Sequence, residues 1–140
     1  MQAAFEIIKP GTDWEQVQLL MHDVLIRRLL KLGLFVAGGV QGDEDAVVKA
    51  ILESGVSAAL YPHGVGHLLG LDVHDVGGLP EGKSTNPLLR YLRLRVLLEE
   101  GFVVTVEPGS VDRARAVDLS PLTLTRSSSL PPPFPQAVLQ

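Results

Sequence analysis

Cysteine does not occur among the 140 residues. Its absence excludes disulfides and thiolate-held metals and is compatible with a reducing compartment. A basic excess is also lacking. The formal charge is -4 and the pI about 5.5, so the electrostatic footprint of a nucleic-acid binder is missing. No apolar run approaches the ~20 residues that a membrane-spanning helix needs. Met1 is not followed by the charged and apolar regions of a secretory signal. These absences leave a soluble, cytoplasmic protein without nucleic-acid or membrane partners as the expectation. What is present suits a folded chain: 46% of residues are hydrophobic and the mean hydropathy is +0.24, enough for one buried core.

Three helical segments can be read along the chain. Residues 3–8 look like the end of a helix, broken by Lys9-Pro10-Gly11. Thr12 and Glu15 have the spacing of a capping box, with Thr12 as the expected N-cap. Trp14, Val17, Met21, Val24, Leu25 and Leu29 then recur at helical spacing, and Gly33 stands where a C-terminal glycine cap belongs. His22 falls within this helix and reads as a packing or polar-face histidine. A second helix is predicted over 43–53, closed by Gly55. Further on, Phe102–Val106 has the β-branched, apolar character of a buried strand, ended by Glu107-Pro108-Gly109. Residues 110–140 hold five of the ten prolines, with serine and proline runs, and are expected to form a disordered tail behind a 1–109 domain.

Residues able to carry chemistry concentrate after Tyr61. His63, His67 and His74 are interleaved with Gly64, Gly66 and Gly70, which argue against a helix and for an extended segment open to close approach. Neutral imidazole ligates Mn, Co, Zn or Fe and also shuttles protons near neutrality. On spacing alone, a histidine-rich surface loop is an equal alternative. Glu107 follows five apolar residues, where a metal, a cap or an ion pair would each relieve the cost of its charge. Asp72, Asp75 and Glu81 fit turn duties as well as chemistry. Arg90, Arg93 and Arg95 suit either carboxylate recognition or a solvated face.

Taken together, PHGVGHLLGLDVHDVGGLPEG at 62–82, LRYLR at 89–93 and GFVVTVEPG at 101–109 resemble the pita-bread metallopeptidase family. The likeness is to its proline-specific branch, the Xaa-Pro aminopeptidases and Xaa-Pro dipeptidases (prolidases). The upstream Lys9-Pro10-Gly11 and its helix are similar to the equivalent family segment. The resemblance implies an α+β fold, part of a pita-bread domain with helices on a curved, mainly antiparallel sheet. It implies His67 and Glu107 as metal ligands, His74 as the histidine contacting the scissile bond, and His63 and Arg93 as substrate-binding residues. Two manganese ions are implied as cofactor, peptides or dipeptides with proline second as substrates, and a homodimer as in the family.

The family's centre uses two aspartates, one histidine and two glutamates, of which His67 and Glu107 alone have counterparts here. The chain is therefore expected to be a piece of such an enzyme, inactive as it stands. The competing expectation is a non-catalytic paralogue that binds a full-length subunit or proline-containing peptides. Retention of His63, His67, His74, Arg93 and Glu107 together favours the former.

Overall fold

A computed structural model describes residues 1–35, 40–79 and 84–109. The expected tail and Glu81 lie outside the described residues. Four helices are present among the described residues, α1 (Gln2–Ile7), α2 (Trp14–Lys31), α3 (Glu44–Ser54) and α4 (Ser57–Leu60), and α2 packs against the other three. The last of these has no counterpart in the sequence reading. None of the helices among the described residues is long and apolar enough to cross a membrane.

Local chemistry explains where α2 starts and stops. The N-cap is Asp13, whose Oδ1 accepts from the Glu15 amide at 2.9 Å, and not the expected Thr12. Thr12 is diverted because its hydroxyl donates to the Ile7 carbonyl at 2.7 Å, tying the end of α1 to the start of α2. At the other end Gly33 takes φ +68°, its amide donating to Leu30 and the Leu34 amide to Leu29, a Schellman closure at the expected glycine. Helix α3 is closed by left-handed Gly55, as its sequence implies, and its N-cap is Asp43, whose side chain accepts from the Ala46 amide.

The buried face of α2 comprises Trp14, Val17, Gln18, Met21, His22 and Ile26. Trp14, Val17 and Met21 join Ala4, Tyr61, Val65, Leu89, Leu92, Leu94 and Leu98 in one core. Each such apolar side chain contributes ~2 kcal/mol by leaving water. Two polar residues of the same face, Gln18 and His22, enter that core with 1% and 0% exposure. Each therefore requires hydrogen-bond partners inside.

Extended segments complete the frame, although none among the described residues runs long enough to form a named β-strand. The chain entering α2 pairs antiparallel with 96–98 through Gly11, Thr12 and Trp14. Residues 65–69 pair antiparallel with 103–107: the Leu69, Thr105 and Glu107 amides donate to the Val103, His67 and Val65 carbonyls. The Phe102–Val106 segment is not the buried strand its composition predicts, since Phe102 and Val103 are exposed. Its backbone is covered on the side of 65–69, while the side chains of Phe102 and Val103 stand in solvent. The core is built mainly by α2 and by the leucines of 88–98, and from the 102–106 segment Val104 and Val106 pack against it half-buried.

Candidate metal and peptide site

The pairing of 65–69 with 103–107 brings the two ends of the sequence pattern together. Gly66 makes this approach feasible, because a Cβ there would overlap the Thr105 carbonyl oxygen and press on the Trp14 ring. His67 and Glu107 consequently meet, with His67 Nε2 at 2.9 Å from Glu107 Oε1. The other ring nitrogen, Nδ1, lies 2.8 Å from the Leu68 carbonyl. A carbonyl only accepts, so Nδ1 carries a hydrogen and Nε2 is the atom turned toward the carboxylate. A nitrogen and a carboxylate oxygen at that separation share either a proton or a cation. His67 is buried, while the Glu107 side chain is about half exposed. A hydrogen bond from Thr105 holds the Glu107 carboxyl below the ordinary carboxylate range, with His67 acting in the same direction and partial burial opposing.

His74 packs edge-on against His67, ring centroids 4.3 Å apart. His63 lies further along, Nδ1 at 2.9 Å from the Gly64 carbonyl and Nε2 at 3.1 Å from that of Gly109. Its ring meets the edge of Tyr61, whose phenol is pushed up by burial and by the charge of Glu107. All five residues singled out as site candidates, His63, His67, His74, Arg93 and Glu107, line one cavity of about 870 Å³. The arginines divide by role. Arg95 lines the cavity but is held by Glu15, Nε to Oε1 at 2.6 Å. Arg90 lies over the Tyr91 ring, and Arg93 makes no ion pair among the described residues. Asp75 accepts from the Val76 amide and thus serves its own turn.

The donor set of His67 and Glu107 fits one shared divalent cation. Among the described residues no group of three or more histidine and carboxylate side chains converges to hold a metal. Residues that spacing could not reveal include Gln18, buried behind the cavity, and Ser57, which lies 3.0 Å from His22 Nδ1. Both act through partners far away in sequence.

A model of metallopeptidase family M24 matches residues 1–121, and the chain belongs to that family. An uncharacterized peptidase of Saccharomyces cerevisiae is 47% identical over 106 residues, 76% of this chain and 18% of that protein. A probable Xaa-Pro aminopeptidase of Fusarium vanettenii is 50% identical over 103 residues, 74% of this chain and 20% of its own length. Among solved structures, aminopeptidase PepP of Pseudomonas aeruginosa superposes with a TM-score of 0.55 at 33% identity, covering 83% of this chain and 23% of that one. The chain thus shares the PepP fold over the aligned part and spans about a fifth of the length of the curated relatives it matches.

Proposed function

We propose that this chain carries the histidine and glutamate portion of a dinuclear-metal peptidase acting on Xaa-Pro bonds, and that alone it is inert. The observation behind this reading is the convergence of His67 Nε2 and Glu107 Oε1 at 2.9 Å in a cavity also lined by His63, His74 and Arg93. His67 and Glu107 would hold the metal, for which manganese is the family expectation. When bound, the metal pair supplies a water-derived nucleophile and stabilises developing negative charge. His74, beside His67, contacts the scissile bond. His63 faces the substrate, and Arg93, uncommitted to any acid among the described residues, clamps the substrate carboxylate through its planar fork. An Xaa-Pro bond suits such a site because its nitrogen offers no N–H for an ordinary protease to grip. The proposed sheet is the curved antiparallel one of the pita-bread fold.

Two ligands do not sustain a dinuclear centre, since losing even one supporting group weakens metal binding by about 10–100-fold. Assay of the purified chain with manganese against Ala-Pro and a longer Xaa-Pro peptide is expected to give no turnover. Turnover that His74→Ala abolishes would overturn the claim of inertness. Dipeptide binding that depends on manganese and is lost in His67→Ala supports the peptidase reading. Metal-independent binding insensitive to that substitution supports a non-catalytic peptide-binding paralogue instead.

A further inference from the structure

Gln18 belongs to the buried face of α2 and is not among the residues lining the cavity, yet its carboxamide touches both cavity walls. Oε1 accepts from the Val65 amide at 2.6 Å. Nε2 lies 3.1 Å from the His63 carbonyl and 3.2 Å from the Leu88 carbonyl. His63 and Val65 flank Gly64 in the histidine wall, and Leu88 immediately precedes the wall that carries Arg93. The bond to Val65 fixes the orientation of the amide, because a flipped carboxamide would set N–H against N–H. The same Nε2 lies 3.2 Å from His22 Nε2, and His22 Nδ1 lies 3.0 Å from Ser57 Oγ on α4. Burial holds that ring neutral, so one of its nitrogens donates and the other accepts, and the two Gln18 Nε2 hydrogens are matched by the His63 and Leu88 carbonyls.

No other side chain of this length offers one acceptor and two donors in a rigid fork. The walls meet closely where the fork sits behind them: a Cβ on Gly64 would come within 3.1 Å of Leu92 Cα. Without the fork the Val65 N–H loses its acceptor in the core and the two carbonyls lose their donor. The segment then has to shift to recover partners.

We propose that Gln18 is the positioning residue of this site, setting the spacing between the wall of His63 and His67 and the wall of Arg93. It touches no substrate and binds no metal. The inference rests on the proposed function for the identity of the ligand, an Xaa-Pro peptide, and on geometry alone for the spacing.

The test compares the parent chain with Gln18→Met, which keeps length and volume without the fork, and Gln18→Glu, which keeps an acceptor for Val65 and loses the donors. Three quantities are read: hydrogen exchange of the Val65 amide, the Gly64–Leu92 proton contact in NMR spectra, and the dissociation constant for Ala-Pro with manganese present. In Gln18→Met, Val65 exchange accelerates and dipeptide affinity falls, each by about tenfold or more, while α2 and α3 amides stay protected. The Gly64–Leu92 contact weakens in step. In Gln18→Glu, Val65 protection returns but the contact and the affinity do not. A residue with a merely structural role would lower stability without moving the contact in the folded variant. A folded Gln18→Met that keeps Val65 protected, the contact intact and affinity within twofold of the parent overturns the proposal. Should Gln18→Met fail to fold, Gln18→Glu decides: a retained contact and affinity overturn it. A parent chain that binds no dipeptide agrees with a metal site left incomplete, and Val65 exchange and the Gly64–Leu92 contact then decide the spacing on their own.

Discussion

His22 and His67 are both buried imidazoles, and their surroundings give them opposite duties. His67 turns its Nε2 toward a carboxylate at the cavity, whereas His22 is walled in by Gln18, Ser57, Tyr61 and the Leu88 carbonyl. Burial pushes His22 down to about 4, with the Leu88 carbonyl opposing and the positive potential of nearby His63 adding to the fall. A base whose affinity for protons is lower when folded makes the unfolded chain the better proton binder between pH 6.5 and 4. Its contribution to stability is therefore complete above pH 6.5 and is lost as pH falls through that window. The loss is at most ~3 kcal/mol, at ~1.4 kcal/mol per pH unit. Urea unfolding of the parent and of His22→Gln across pH 7 to 4 checks this, the variant being expected to show the shallower slope. Sequence alone separates these histidines as far as the helix and the glycine-rich segment go. It does not disclose Gln18, whose partners His63, Val65 and Leu88 lie 45, 47 and 70 positions away.

Helix ends were legible wherever the deciding contact is local. Gly33 and Gly55 close their helices at the positions their spacing implies. Thr12 and Asp13 were not separable, because the choice depends on the Ile7 carbonyl delivered by α1. The exposure of Phe102 and Val103 was hidden for a similar reason: burial of a strand is a property of its neighbours and not of its own composition. Gly33 and Gly55 offer a matched comparison, at φ +68° and +70°. An alanine at Gly33 would meet nothing within 4 Å, whereas at Gly55 its Cβ would lie 2.9 Å from Pro87 Cγ. Gly33→Ala is expected to cost about 1 kcal/mol for the left-handed backbone alone. Gly55→Ala should cost more, the excess measuring how firmly α3 is seated on the 84–92 segment. Asp13→Ala should cost about 1 kcal/mol as a lost cap. Chemical denaturation of the three variants ranks them, and equal losses at the two glycines would refute the contact with Pro87.

At the scale of the whole molecule, the core and the cavity share one wall: Leu89 and Leu92 belong to the core cluster and also line the cavity, beside His63, His67 and Arg93. The candidate site is thus held by the best-packed part of the chain. Beyond His67 the character changes, since Leu69, Leu71, Val73, Val76 and Leu79 are all exposed, Leu71 entirely so. Apolar side chains gathered on one segment in this way form a surface that binds hydrophobic dyes and lowers solubility. Replacing Leu71 and Val76 by lysine removes apolar area where neither side chain is buried, so global stability should change by less than about 0.5 kcal/mol. Dye fluorescence should fall and the solubility limit should rise, because charge interrupts the apolar run. Unchanged fluorescence in the folded double variant would move the dye-binding surface elsewhere, with Phe102 and Val103 the next residues to replace. A large loss of stability would instead show that Leu71 and Val76 pack in solution, against the exposure seen here.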